Sequence, residues 1–250
     1  NVCNCALLIR NGEILSVTAK HHLPNYGVFD EKRVFVRGPL PDIFEFKGTK
    51  LGIMICEDMW HADVAAHLKD QGADILIVPN GSPWRIGKEA VREEHADNRV
   101  NETELPLVYV NQVGGQDELV FDGGSFVVCA HGEPLHKAPQ FIEGVFNVTL
   151  SQDSDTWVAV GLQSARELSQ HHAIYEALKL GLRDYVLKNG FSKVLLGLSG
   201  GIDSALTAAI AVDALGADNV RCIMLPSPFT SQDSLDDAKA CAEMLGTCFC

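Results

Sequence analysis

Hydrophobic and polar positions fall into short blocks along this chain, and the period of each block names its element. The run Cys5-Ala6-Leu7-Leu8-Ile9-Arg10, the pair Asn11-Gly12 and the run Ile14-Leu15-Ser16-Val17-Thr18 predict a β-hairpin closed by an Asn-Gly turn. Residues 21–42 carry Pro24, Asn25, Gly27, Gly38, Pro39 and Pro41 and read as loop able to line a site. Phe44–Phe46 and Leu51–Ile55 read as strands around Lys47-Gly48-Thr49-Lys50. Val64–Gln71 has helical spacing, and Ile75-Leu76-Ile77-Val78 is a buried strand ended by Pro79-Asn80-Gly81. Residues 86–104 are charged with a helical period, and Leu107-Val108-Tyr109-Val110 is the next strand. Phe126–Ala130 and Phe141–Leu150 are expected as further strands on either side of His131-Gly132-Glu133.

The second part of the chain repeats the strand–helix rhythm. Residues 151–165, opening with Ser151, Asp153, Ser154 and Asp155, read as a connection, and His171–Asn189 as an amphipathic helix stopped at Gly190. The strand Val194–Leu198 follows, then a glycine turn, a helix over Ala205–Leu215 and the strand Cys222–Leu225. Strands with continuous apolar character alternating with helices indicate an α/β protein. The expected division is a first domain over 1–150, a linker over 151–170 and a second domain over 171–250.

Composition narrows the function classes. A length of 250 residues suits one large or two modest domains with ample cores. The net charge of −13 argues against a nucleic-acid or membrane-surface partner, and no apolar run reaches spanning length. No signal-peptide pattern opens the chain. The eight cysteines lack the paired spacing of a zinc site, so reduced thiols and a cytoplasmic location are expected. The start at Asn1 and the stop at Cys250 suggest a piece cut from a longer protein at both ends.

Two stretches carry chemistry. Ser199-Gly200-Gly201-Ile202-Asp203-Ser204 joins a strand to a helix start, where two glycines let backbone N–H groups approach an anion and the helix dipole favours negative charge. Ser199 and Ser204 offer hydroxyls, and Asp203 a carboxylate for a magnesium ion. The Walker lysine is missing, so the loop suits holding pyrophosphate as it leaves rather than moving a γ-phosphate. The second stretch is Leu51-Gly52-Ile53-Met54-Ile55-Cys56-Glu57-Asp58, where a cysteine ends a buried strand in the position of a nucleophile. A buried structural thiol is the competing reading.

The 199–204 string resembles the pyrophosphatase loop of the ATP-pyrophosphatase superfamily. Cys56 with Lys20-His21-His22-Leu23-Pro24-Asn25-Tyr26-Gly27-Val28-Phe29-Asp30-Glu31 upstream resembles the nitrilase, or carbon–nitrogen hydrolase, superfamily. The second resemblance implies a sandwich of α-helices around two β-sheets, of which the C-terminal part is present, and the first implies that the start of a Rossmann-like parallel-sheet ATP-pyrophosphatase domain follows it. The second also implies that Cys56 attacks an amide carbonyl, that Lys20 and the Glu57 N–H stabilise the oxyanion, and that Glu31 orients Lys20. The general-base glutamate is expected outside this stretch, since only Glu13 precedes Lys20.

The two domains in this order resemble the glutamine-dependent NAD⁺ synthetases, as do Phe121-Asp122-Gly123-Gly124-Ser125 and Pro226-Ser227-Pro228-Phe229-Thr230-Ser231. The resemblance implies that glutamine hydrolysis feeds ammonia to an adenylated carboxylate of deamido-NAD, with ATP and Mg²⁺ as cofactors and a homo-oligomeric assembly. It implies a glutamine pocket of Tyr26, Glu57, Ser82 and Lys88. It implies an ATP site of Ser199, Gly200, Gly201, Ile202, Asp203 and Ser204 with Met224 and Leu225, Asp203 holding the metal. A stand-alone nitrilase-type amidase, another pyrophosphatase-loop amidotransferase and a non-catalytic binding module are the alternatives.

Overall fold

A computed structural model describes residues 2–129, 136–153, 156–161 and 164–250. The readings at Ala130, His131-Gly132-Glu133, Ser154 and Asp155 lie outside the described residues. The chain divides into two compact units, one of residues 1–113 and 121–167, the other of residues 114–120 and 168–250.

The first unit opens with β1 (Cys5–Arg10) and β2 (Glu13–Ala19), an antiparallel hairpin. Its turn residues Asn11 and Gly12 take φ of 54° and 83°, the left-handed pair that such a tight turn demands. A single-turn helix α1 (Glu31–Val34) interrupts the loop that follows. A six-stranded sheet is then built from β3 (Phe44–Phe46), β4 (Thr49–Ile53), β5 (Ile75–Asn80), β6 (Leu107–Asn111), and then β9 and β10 after the hairpin β7 (Val113–Gln116) and β8 (Leu119–Asp122). Strands β9 (Phe126–Val128) and β10 (His136–Lys137) complete the order β10-β9-β6-β5-β4-β3. The central trio β4, β5 and β6 is parallel, and the flanking pairs are antiparallel.

Helices α2 (Ala62–Asp70) and α3 (Lys88–Thr103) make the crossovers that parallel strands require. They cover one face of the sheet: Val64, Ala65 and Leu68 of α2 and Ala96 and Val100 of α3 share a core with Leu76, Leu107, Tyr109, Phe126 and Val128. Side chains alternate across a strand, so Val108 and Val127 face the other way. There they meet Val148, Leu150 and Ala159 of an antiparallel hairpin, β11 (Thr149–Asp153) and β12 (Thr156–Val160).

Two expectations are corrected. Of Phe141–Leu150 only the last two residues enter a strand; Phe141 takes φ of 59° and Val145 is 90 % exposed, and the rest of this apolar stretch has no ladder partner among the described residues. Much of residues 151–165, read as bare connection, belongs to the β11–β12 hairpin.

The second unit is a βαβαβ arrangement led by helix α4 (Gln170–Lys188), whose N-cap Ser169 accepts from the His172 N–H. Strand β13 (Val194–Gly197) passes through α5 (Ile202–Leu215) to β14 (Val220–Ile223), and through α6 (Gln232–Leu245) to β15 (Cys248–Phe249). All three strands are parallel, in the order β13-β14-β15. Leu198, Ala208, Ala211, Val220, Cys222, Ala238 and Ala242 form the core between sheet and helices. Small residues on both helices allow close approach to the sheet. Among the described residues no helix is long and apolar enough to cross a membrane.

Candidate active site

The end of β4 delivers Cys56 into a tight turn. Its φ of 49° lies in the left-handed region that a residue with a Cβ rarely adopts, a strain typical of side chains held for a purpose. The turn continues as a 3₁₀ helix over Cys56–Trp60 in which Glu57, Asp58 and Met59 are buried. Burial pushes the Cys56 thiol up; Lys20 pulls it down, Glu57 and Glu31 push it up, and the Gly81 N–H pulls it down by bonding the sulfur. A nucleophile, a cation and two carboxylates therefore meet here, although Cys56 and Lys20 are separated by 36 positions.

Lys20 is 2 % exposed, and its Nζ donates to Glu31 Oε1 at 2.7 Å. The Lys20 backbone is fixed as well: its N–H donates to Asn4 O at 2.8 Å, and its carbonyl accepts from Gly38 N at 2.9 Å. Tyr26 Oη donates to both carboxylate oxygens of Glu57, at 3.0 and 2.8 Å, and burial together with that carboxylate raises its pKa. Lys88 Nζ stands 3.8 Å from the Trp60 ring centroid; burial, then Arg85 and Arg92, lower its pKa to about 8. Cys56 and Glu57 both act on Lys88, so Tyr26, Glu57 and Lys88 gather around the thiol.

Ser82 is buried and already engaged. Its Oγ accepts from Arg92 Nε at 3.1 Å, and its backbone is held by Asn111 Oδ1 and Arg92 Nη2. Arg92 in turn donates from Nη1 to both oxygens of Asp122, which is fully buried. Sequence patterning placed Arg92 in a charged helix and gave no sign of this anchor. It also missed Asp58, which backbone N–H groups hold, Gly81, whose N–H meets the Cys56 sulfur, and Trp60, whose ring meets Lys88 and His95. Glu13 lies exposed at the tip of the first hairpin, opposite Arg10.

Residues 1–158 match the family model for carbon-nitrogen hydrolase. The chain belongs to the carbon-nitrogen hydrolase family. A carbon-nitrogen hydrolase from Helicobacter pylori superposes with a TM-score of 0.52 at 27 % identity, covering 64 % of this chain and 57 % of that one. Residues 174–249 match a second model, NAD synthase. A glutamine-dependent NAD(+) synthetase from Rhodobacter capsulatus is 49 % identical over 97 % of this chain and 44 % of its own length. The structure of the enzyme of that name from Acinetobacter baumannii, in complex with adenosine diphosphate, superposes with a TM-score of 0.92. It is 44 % identical and covers 99 % of this chain and 47 % of that one. The chain spans about half the length of the curated relatives it matches. The expected α/β fold, nitrilase-like and then the start of an NAD synthase domain, is what these matches give.

In the second unit the 199–204 string forms the turn between β13 and α5. Gly200 takes φ of 83°, and a Cβ there would stand 2.3 Å from the Ser234 carbonyl oxygen. Among the described residues no side chain caps the N-terminus of α5, which leaves its first N–H groups open to an anion. Ser199 and Ser204 close on each other, their hydroxyl oxygens 3.1 Å apart, and Ser204 Oγ donates to Gly201 O at 2.9 Å. Asp203 and Ile202 are exposed in the first turn. A cavity of about 540 Å³ beside the loop is lined by Ser199, Met224, Leu225, Phe229, Thr230 and Ser231, among others. It opens at the carboxyl ends of β13 and β14, where parallel sheets bind ligands. The Met224 N–H is spent on Cys250 O at 2.9 Å, so Met224 offers its side chain and carbonyl rather than its donor.

Proposed function

We propose that this chain carries the ammonia-releasing and ATP-binding parts of a glutamine-dependent NAD⁺ synthetase. The observation that supports this most is the presence in one chain of the Cys56–Lys20–Glu31 cluster and the 199–204 loop. A free-standing amidase would have no use for the loop, and amidotransferases with unrelated glutaminase domains would lack the cluster.

In this reading Cys56 attacks the carboxamide of glutamine and forms a thioester, releasing ammonia; water then frees glutamate. Lys20, paired with Glu31, and the Glu57 N–H stabilise the oxyanion. Glu57 and Tyr26 receive the α-amino end of glutamine, and Lys88 its carboxylate, with Ser82 setting the pocket wall.

In the second unit the uncapped N–H groups of α5 and the Ser199 and Ser204 hydroxyls hold the phosphates of ATP, and Leu225 and Met224 wall the adenine side. The donor set fits a nucleotide with Mg²⁺: the Asp203 carboxylate, exposed beside the loop, is the residue that would hold the ion. Bound there, Mg²⁺ would neutralise phosphate charge. The product chemistry is amidation of the adenylated carboxylate of deamido-NAD, and ammonia made in the same protein reaches it before protonation by bulk water.

The test uses the natural full-length enzyme. Cys56→Ala abolishes synthesis from glutamine and keeps synthesis from free ammonia, whereas Asp203→Asn abolishes adenylation and keeps glutamine hydrolysis. Loss of both activities in either variant refutes the division of roles.

A further inference from the structure

Asp58 is fully buried, yet no lysine, arginine or histidine side chain hydrogen-bonds its carboxylate among the described residues. Its oxygens are instead divided between two backbone segments. Oδ1 accepts from His21 N at 3.1 Å and His22 N at 2.7 Å, and Oδ2 accepts from Ile55 N at 2.9 Å. The first segment is the peptide that leaves Lys20; the second is the residue that precedes Cys56. The Asp58 N–H also donates to Ile55 O at 3.1 Å, closing the turn on which Cys56 holds its left-handed backbone. A buried carboxylate held only by N–H groups carries a large desolvation cost, and here burial raises the Asp58 pKa while the His22 and Ile55 N–H groups lower it.

We infer that Asp58 is a positioning residue: its carboxylate fixes the register between the loop carrying Lys20 and the elbow carrying Cys56. The inference rests on the glutaminase reading for its catalytic consequence, but its geometric content stands without it. Asn at position 58 tests the tie selectively. An amide presents one oxygen and one NH₂, so it can accept from His21 and His22 or from Ile55, and it sets a donor against the other segment.

The probe is alkylation of Cys56 by iodoacetamide as a function of pH, in the natural full-length enzyme without glutamine. The charged groups that act on the thiol are Lys20, Glu31, Glu57 and Lys88, with the Tyr26 and Tyr109 hydroxyls beside it. Of the two lysines, only Lys20 sits on a loop that Asp58 ties to the elbow, the loop that also carries Tyr26 and Glu31. Losing its ammonium from the thiolate moves the alkylation midpoint up, by about one pH unit for an opposite charge at short range. Glutamine turnover falls by about 10²-fold, the cost of an ångström-scale misplacement. A folded Asp58→Asn protein with a wild-type midpoint overturns the inference. If that variant does not fold, Asp58→Glu keeps the charge but overshoots the three-way junction, and the same upward shift is expected. Failure of both to fold overturns the inference in favour of a purely structural carboxylate. Cys56→Ala separates the two ideas: glutamine hydrolysis that survives it sinks the glutaminase reading, while the alkylation profile judges Asp58 alone.

Discussion

Lys20 Nζ and Glu31 Oε1 stand 2.7 Å apart with side-chain exposures of 2 % and 15 %, and the other oxygen, Glu31 Oε2, is buried with no hydrogen-bond partner among the described residues. The pair is therefore a largely buried ion pair. Removing one partner of such a pair costs about 3–5 kcal/mol because an uncompensated charge stays buried. Glu31→Gln should lower the unfolding free energy from denaturant titration by an amount of that order and abolish glutamine hydrolysis. The double variant Lys20→Met with Glu31→Gln should recover much of the stability and none of the activity. Equal stability of the single and double variants would show that the pair does not act as a unit.

In the proposed glutamine pocket, Lys88 would link pH to substrate affinity. Burial and the neighbouring Arg85 and Arg92 lower its pKa to about 8. Below that pH it is charged and can pair with the glutamine carboxylate; above it the charge is lost. KM for glutamine should therefore rise as pH passes through about 8, while kcat changes less. Lys88→Arg, with a pKa above the working range, should flatten the profile. The stability effect has the opposite slope. The unfolded lysine keeps its proton to near 10.5, so between about 8 and 10.5 the unfolded chain binds more protons and this residue's contribution to stability rises with pH. Matched KM profiles for wild type and Lys88→Arg would remove Lys88 from the pocket.

Arg92 and Asp122 support the wall on which Ser82 sits. Arg92 spends Nη1 on both Asp122 oxygens at 2.8 and 2.9 Å and its remaining nitrogens on Ser82 and Pro83. Asp122→Ala leaves a buried guanidinium half-paired, at a cost of about 3–5 kcal/mol. At temperatures where the variant is still folded, KM for glutamine should rise more than kcat falls, since a binding wall has moved rather than the nucleophile. Thermal melts and steady-state kinetics on the same sample check both parts.

The sequence made the skeleton readable where local chemistry and tertiary structure agree. Asn11-Gly12 demanded its hairpin, the Ile75–Val78 run its buried strand, and the Ser-Gly-Gly string its strand-to-helix turn. Phe141–Leu150 misled because apolar character alone does not supply a neighbouring strand, and only Thr149 and Leu150 find one. Arg92 was hidden for a related reason: a charged helix reads as solvated, yet Arg92 is 2 % exposed because Asp122 waits 30 residues away. Asp58 was hidden because its partners are main-chain N–H groups, which carry no sequence signature.

Gly200 and Gly201 give the last prediction, because they are neighbours with different constraints. Gly200 takes φ of 83°, and a Cβ would stand 2.3 Å from the Ser234 carbonyl oxygen, a backbone atom at the start of α6. Gly201 has φ of −85°, and its Cβ would meet only Ser199 Oγ at 3.5 Å, an ordinary contact. Alanine at 200 carries about 1–3 kcal/mol of backbone strain and must also push α6 away from the loop. Gly200→Ala should lower the melting temperature and lose the stabilisation that added ATP and Mg²⁺ give the wild type. Gly201→Ala should melt close to wild type without ligand. Equal melting of the two variants would mean that the 199–204 turn is not held against α6, and the proposed phosphate cradle would lose its rigid wall.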